Sequence, residues 1–249
     1  MKKRIIIAGP TASGKSSLSL LLAAKLDGEI ISVDSRQCYR LLDIGTAKPS
    51  ESEMKRIPHH NISIFDPDER DTAAAFRERA LSAADEIEQR NRTVIFCGGS
   101  TLHLKALIQP FDDIPGPDPD NLSRLKRKDK EEGLQSLYET LVEQDPEYAE
   151  SMDGLNRQRI YRALDVWMQT GKPFSSFHTQ DPVTLPENVH FFALHHPRKT
   201  LHQRISERTD TMLSEGLIEE TKMILSKGYS PDLQALQTVG YRQVIQYLD

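Results

Sequence analysis

Near the start of the chain, Gly9-Pro10-Thr11-Ala12-Ser13-Gly14-Lys15-Ser16 constrains the fold more than any other stretch. It fits G-x-x-x-x-G-K-[ST], and it follows the apolar run Ile5-Ile6-Ile7-Ala8 and precedes a helical pattern. A strand before and a helix after is the context that a phosphate-binding loop of this type requires. Gly9 and Gly14 permit backbone angles that a side chain forbids, so successive N–H groups can turn inward around an anion. A helix opening near Lys15 adds its positive dipole end. Lys15 adds a point charge, and Ser16 a hydroxyl for a magnesium ion. The motif specifies a bound phosphorylated group and leaves its fate open.

The pattern behind the loop extends that start into an α/β fold. Over 17–26, Leu18, Leu21, Leu22 and Leu26 recur at a helical period and predict a helix that turns them toward a sheet. Ile30-Ile31-Ser32-Val33 reads as a buried strand that ends in Asp34. Strand, loop, helix, strand opens a parallel sheet, in which functional residues gather at the carboxyl ends of the strands. A short strand is expected over 62–65, a long helix over 72–90, and a strand over 94–97. Gly98-Gly99-Ser100-Thr101 then gives a tight exit with hydroxyls at the sheet edge, and a helix follows over 102–108.

At Pro110, Pro115, Pro117 and Pro119 the composition changes, which marks a boundary. Helical patterning runs over 122–170, broken at Gly133, Asp145-Pro146 and Asp153-Gly154. A loop-like stretch over 174–186 precedes a strand over 189–194 and helices over 201–227 with a break at Gly216. The expected organisation is a phosphate-loop α/β core, 1–114 and 187–249, that carries an all-helical insertion over 115–186. No apolar run approaches the roughly 18 residues that span a bilayer. The basic start Met1-Lys2-Lys3-Arg4 has too short an apolar segment behind it for a signal peptide. Cys38 and Cys97, without metal-type spacing, suit a reducing compartment, so a cytoplasmic protein is expected.

The net charge of −5 argues weakly against a nucleic-acid partner. Local distribution argues the other way. Basic residues cluster over 124–130, at Arg157, Arg159 and Arg162, and at Arg198, Lys199, Arg204 and Arg208. A solvated helix face explains any one cluster, and the three together fit a phosphate-rich partner. The pairs His59-His60 and His195-His196 lack the carboxylate or cysteine spacing of a metal site and read as turn and strand-end histidines.

Taken together, GPTASGKS at 9–16, SVDSRQ at 32–37, DIGTAKP at 43–49, the Gly98-Gly99-Ser100 exit, NRQRIYR at 156–162 and VGYRQ at 239–243 resemble the tRNA dimethylallyltransferases, also called tRNA isopentenyltransferases. The resemblance spans almost the whole chain in order. It implies transfer of a dimethylallyl group from its diphosphate to the exocyclic amine of the adenosine 3′ to the anticodon, with magnesium as cofactor. It also implies that Gly9, Pro10, Thr11, Ala12, Ser13, Gly14, Lys15 and Ser16 hold the donor diphosphate, with the metal at Ser16, and that Arg208 reaches the same group. Asp34, Ser35, Arg36, Gln37, Ser100, Gln158, Arg159, Ile160, Tyr161, Arg162, Gln237, Thr238, Val239, Gly240, Tyr241 and Arg242 are implied along the path of the tRNA anticodon stem-loop. Ser100 stands where the family has threonine, one hydroxyl for another. Family members continue past the Gly-Tyr-Arg helix into a basic helix with aromatic residues, whereas this chain stops at Asp249, which bears on how firmly it holds tRNA.

The chemistry assigns roles to these positions. An adenine exocyclic amine is a poor nucleophile, and a carboxylate that takes its proton as the new bond forms lowers the barrier, which suits Asp34. Asp34 also has the position of a magnesium ligand at a strand end, and of a salt-bridged structural aspartate. Diphosphate departure needs charge neutralisation by loop N–H groups, Lys15 and magnesium. With Ser100 and Arg208 added as the resemblance implies, the catalytic set expected is Asp34, Lys15, Ser100 and Arg208, in a monomer that flips its target base into a channel. An adenylate isopentenyltransferase acting on free AMP shares such a core, a small-molecule kinase using ATP shares the loop, and a non-catalytic RNA-binding module is the third alternative.

Overall fold

The computed structural model describes residues 3–109, 114–178 and 184–248. The boundary expected at Pro110, the 179–183 part of the predicted loop and the chain end at Asp249 lie outside them. Two compact units form: Met1–Gln109 with Thr184–Asp249, and Pro110–Val183.

The first unit is built on five strands, β1 (Arg4–Ala8), β2 (Gly28–Val33), β3 (His59–His60), β4 (Thr93–Gly98) and β5 (Val189–Ala193). Their order is β3-β2-β4-β1-β5, and every pair is parallel. Helices α1 (Lys15–Lys25), α2 (Glu51–Arg56), α3 (Ala73–Gln89) and α4 (Thr101–Ile108) belong to this unit. The second unit holds α5 (Pro119–Glu132), α6 (Leu134–Gln144), α7 (Pro146–Glu150) and α8 (Arg157–Thr170), with a 3-10 turn at Phe174–Phe177. The chain then returns to the first unit through β5, α9 (Arg198–Ser214), α10 (Leu217–Ser226) and α11 (Tyr241–Leu248).

Alternation along the strands distributes the core to two faces. Ile6, Ala8, Ile31, Val33, Val94 and Phe96 pack on Phe76, Ala80, Ala84 and Ile87 of α3 and on Leu104 and Leu107 of α4. Their neighbours Ile7, Ile30 and Ile95 point the other way, onto Leu20 and Ala23 of α1 and onto Ile57. Side chains on successive strand residues point to opposite faces, so a sheet covered on both sides needs apolar runs. Thr72 accepts a hydrogen bond from the Ala75 N–H and caps α3.

Four sequence expectations need correction. On α1, Leu18 and Leu22 pack against the sheet cluster as expected, but its buried residues are Ser19, Leu20 and Ala23, and Leu21 and Leu26 are exposed. The helix opens at Lys15, as the loop motif leads one to expect, so it takes in two residues ahead of the apolar 17–26 pattern. No strand forms over 62–65; its only β contact there is a single bridge between Tyr39 and Phe65. The strand is instead His59–His60, paired with Ile30 and Ile31. Within the expected 174–186 loop, Phe174–Phe177 forms a 3-10 turn. Helix α2 was not anticipated, although Ser50-x-x-Glu53 is a capping box: each residue's side chain takes a backbone N–H from the other. Among the described residues no helix is long and apolar enough to cross a membrane.

At the edge β3, a buried carboxylate ties strand to helix end. Glu29 accepts hydrogen bonds from Arg90, from Arg92 Nη1 at 3.3 Å and from His60 Nε2 at 2.6 Å. Burial alone would raise its pKa, but the bonds from Arg90, His60 and Arg92 outweigh burial and bring it down to about 2. A carboxylate held below its unfolded value stabilises the fold fully above that value and loses the contribution as pH falls toward the folded one. Chemical denaturation of the wild type should therefore show stability falling between pH 4.5 and 2. The Glu29→Gln variant should be less stable at neutral pH and show a flatter profile over that interval.

Candidate active site

Because β2, β4 and β1 are consecutive in the sheet, the loops leaving their carboxyl ends lie side by side. These are the loop opened by Asp34, the Gly99-Ser100 exit and the phosphate loop. Contact between them is close. A β-carbon on Gly98 would lie 2.0 Å from the Val33 carbonyl oxygen, and one on Gly99 would lie 3.0 Å from the Gly9 carbonyl oxygen. The Ser100 N–H donates to Val33 O at 3.4 Å.

The phosphate loop has the shape of an anion cradle. Ala12 (φ 62°) and Gly14 (φ 85°) take left-handed backbone, and Ser13 N–H donates across the turn to Pro10 O at 3.3 Å. No side chain caps the first turn of α1. The Ser13 hydroxyl is buried and has no hydrogen-bond partner among the described residues, so a ligand oxygen would satisfy it. From outside, His196 Nε2–H donates to Ser13 O at 3.1 Å and Arg204 of α9 reaches Ala12 O at 3.5 Å. Lys15 Nζ donates to Pro10 O at 2.6 Å and stays in the site. Burial pushes the Lys15 pKa down and Arg208 adds to that, while Cys97 and Asp34 pull it up.

Asp34 faces this cradle with one oxygen already committed. Its Oδ1 accepts from the backbone N–H of Arg36 at 2.8 Å and of Gln37 at 3.2 Å. No such bond holds Oδ2 among the described residues. Arg208, on α9, has its pKa lowered by burial and raised by Asp34, so the two charges interact across the cavity. Ser100 Oγ lies 2.8 Å from His103 Nδ1, and the His103 ring packs against Phe76 at 4.5 Å. The catalytic set expected from the sequence, Asp34, Lys15, Ser100 and Arg208, therefore lines a single cavity of about 750 Å³ with residues of the phosphate loop.

A second cavity of about 670 Å³ shares Asp34, Arg208, Thr11, Arg36, Thr46 and Thr238 with the first. Its remaining wall is largely apolar: Ile205, Met212, Leu213, Leu217, Ile218, Val239, Val244 and Tyr247. A polar chamber and an apolar groove thus meet at Asp34 and Arg208. Thr46, Ala47, Lys48 and Pro49, which the sequence reading left without a role, line the polar chamber. The DIGTAKP stretch was the signal for them.

The positions expected along an RNA path separate into three groups. Ile160 and Tyr241 are fully buried, in the cores of the second and first units respectively, so their side chains pack and do not contact RNA. That corrects the expectation for both. Gln37, Tyr161 and Arg162 are engaged internally. Gln37 accepts from Ser32 Oγ and donates to Thr46 O and Ala47 O. Tyr161 donates to Asp129, and Arg162 donates to Asp165 and Pro115 O. Ser35 carbonyl accepts from Arg36 Nη1, Gln237 donates to Pro231 O, and the Gly240 N–H donates to Gln243. Gln158, Arg159, Val239 and Arg242 remain exposed, and Thr238 lines both cavities.

Among the described residues no group of three His, Cys, Asp or Glu could hold a metal ion by itself. The Ser16 and Ser100 hydroxyls and Asp34 do line the polar cavity. Magnesium takes oxygen ligands and is commonly held by one or two protein groups together with substrate phosphates, so this donor set fits it.

The model of the IPP transferase family matches residues 37–249. A tRNA dimethylallyltransferase 1 of Trichlorobacter lovleyi is 43% identical over 250 residues, which cover 100% of this chain and 82% of that protein. A tRNA dimethylallyltransferase of Geobacter metallireducens is 43% identical over 255 residues, covering 98% of this chain and 79% of its own. Among solved structures, a tRNA isopentenylpyrophosphate transferase from Bacillus halodurans is similar with a TM-score of 0.69 at 37% identity, covering 100% of this chain and 78% of that one. A eukaryotic dimethylallyltransferase acting on tRNA gives a TM-score of 0.82 at 30% identity over 100% of this chain and 63% of its own.

A half-buried lysine with a lowered pKa loses its charge at lower pH than an ordinary lysine. Titration with inorganic diphosphate should show affinity falling on the alkaline side before the ordinary lysine range is reached. Lys15→Ala should weaken that affinity by roughly tenfold or more, the scale of a lost charge-assisted hydrogen bond, and flatten the alkaline limb.

Proposed function

This chain belongs to the IPP transferase family, and we propose that its activity is prenylation of tRNA from dimethylallyl diphosphate. The observation that carries this reading is the junction at Asp34, where an anion cradle and an apolar groove meet beside a carboxylate oxygen without a partner. The diphosphate lies on the phosphate loop and the dimethylallyl tail along the apolar wall. The adenosine amine approaches from the Asp34 side.

In the reaction, the amine nitrogen forms a bond to the first carbon of the dimethylallyl group while the bond from that carbon to the diphosphate oxygen breaks. The electron pair leaves on diphosphate, and Asp34 Oδ2 takes the amine proton. Loop N–H groups, Lys15 and Arg208 hold the negative charge that collects on the departing oxygen, in a site whose partial burial strengthens them. Ser100 presents its hydroxyl to the substrates. Ser16 would hold a magnesium ion, which would supply further charge neutralisation. Exposed Gln158 and Arg159 at the start of α8 are the second unit's contribution to tRNA binding. We assign the protein to the cytoplasm as a monomer, consistent with its free cysteines and a tRNA substrate.

Incubation with tRNA and dimethylallyl diphosphate, followed by mass analysis of nucleosides, should find one dimethylallyl group on adenosine and released diphosphate. Label on AMP alone, or ATP consumed with release of ADP, would refute the assignment. Asp34→Asn should lower kcat by on the order of a hundred- to ten-thousand-fold with little change in tRNA affinity. Turnover equal to that of the wild type would remove Asp34 as the base.

A further inference from the structure

The 43–49 loop lines the polar cavity yet contains no regular structure, and its backbone is strained at Ala47 (φ 46°). Such backbone persists where its surroundings over-determine it. Glu220, on α10, provides the largest share of that constraint. One carboxylate oxygen accepts the N–H groups of Asp43 at 3.1 Å and Ile44 at 2.9 Å, and the other accepts the N–H of Gly45 at 3.3 Å together with the Tyr241 hydroxyl. The Tyr241 ring closes over the same turn: a β-carbon on Gly45 would lie 2.5 Å from Tyr241 Cε2. On the far side of the loop, Gln37 Nε2 donates to Thr46 O and Ala47 O, each at 3.1 Å.

We propose that Glu220 is a positioning residue for the diphosphate site, acting through the 43–49 loop, and that Tyr241 fixes Glu220 in that role. The inference rests on the reading that the polar cavity holds the donor diphosphate. Glu220 sits on a helix and is not among the residues that line the polar cavity. Its carboxylate instead gathers three consecutive backbone donors, an arrangement of N–H groups suited to an anion. An amide replaces it poorly. A glutamine can keep its oxygen on the Asp43 and Ile44 N–H groups, but its NH2 then faces the Gly45 N–H, which is left with the Tyr241 hydroxyl at 3.2 Å as its acceptor, so the turn is held less firmly and can open. With the turn open, Thr46 and Lys48 lose their place in the cavity wall.

The test uses Glu220→Gln and Tyr241→Phe in the full chain, with inorganic diphosphate binding measured by calorimetry and KM and kcat measured for both substrates. Glu220→Gln should weaken diphosphate binding and raise the donor KM by about tenfold, with the tRNA KM and kcat within about twofold of the wild type. Tyr241→Phe, which keeps the ring packed on Gly45, should give a donor effect of about threefold in the same direction. It carries the test if Glu220→Gln does not fold. Wild-type diphosphate binding in both variants, whatever their melting temperature, would overturn the proposal and leave Glu220 a purely structural residue. A raised tRNA KM with unchanged diphosphate binding would also overturn it, and would place Tyr241 on the RNA path. A wild-type protein that binds diphosphate but does not prenylate tRNA would refute the preceding reading alone.

Discussion

The Val33 carbonyl oxygen occupies the place that a β-carbon on Gly98 would need, 2.0 Å away, and the rest of the site depends on that close approach. Parallel pairing of β2 with β4 and of β4 with β1 brings three strand ends to the same edge, but pairing alone leaves room for their exits to diverge. Without a side chain at Gly98, the Asp34 loop and the Ser100 exit leave the sheet in contact. Gly99 then lies against the phosphate loop. A carboxylate, a hydroxyl and an anion cradle are thereby placed on rigid strand ends, where a flexible loop would hold them less accurately.

A second layer of order lies around the site. Gln37, Glu220 and Lys48 hold the 43–49 loop from different sides: Gln37 through its carbonyls, Glu220 through its N–H groups, and Lys48 through Tyr39 O and Asp43. The cluster beneath them, with Tyr39, Leu42, Leu217 and Tyr241, is assembled from segments far apart in sequence. Helices α10 and α11 therefore serve a wall of the cavity made by residues nearly two hundred positions earlier. Their own sequences carry no sign of that.

In the second unit, polar residues organise the interior. Asp145 is buried and accepts from the Tyr148 and Ser175 N–H groups and from the Ser175 hydroxyl, and buried Asp165 accepts from Gln169, Asn121 and Arg162. Such networks are costly when half satisfied and rigid when complete. They change the meaning of the arginine spacing at the start of α8. Arg157 pairs with Asp129 and Arg162 with Asp165, so of the three only Arg159 is exposed without an ion pair among the described residues.

The sequence by itself determined the phosphate loop, the parallel α/β class, the strand-end position of Asp34 and the family, because these follow from local glycine geometry, hydrophobic period and ordered motifs. It also located the helices of the second unit through their breaks at Gly133, Asp145-Pro146 and Asp153-Gly154. Only the tertiary structure decided which side of α1 meets the sheet, that His59–His60 is the edge strand, and that the Ile160 and Tyr241 side chains are buried in the cores of their units. Burial and the choice of hydrogen-bond partner are properties of pairs of residues distant in the chain. A period of 3.6 or 2 shows that a residue has an inward face, but what lies opposite is settled only when the elements pack.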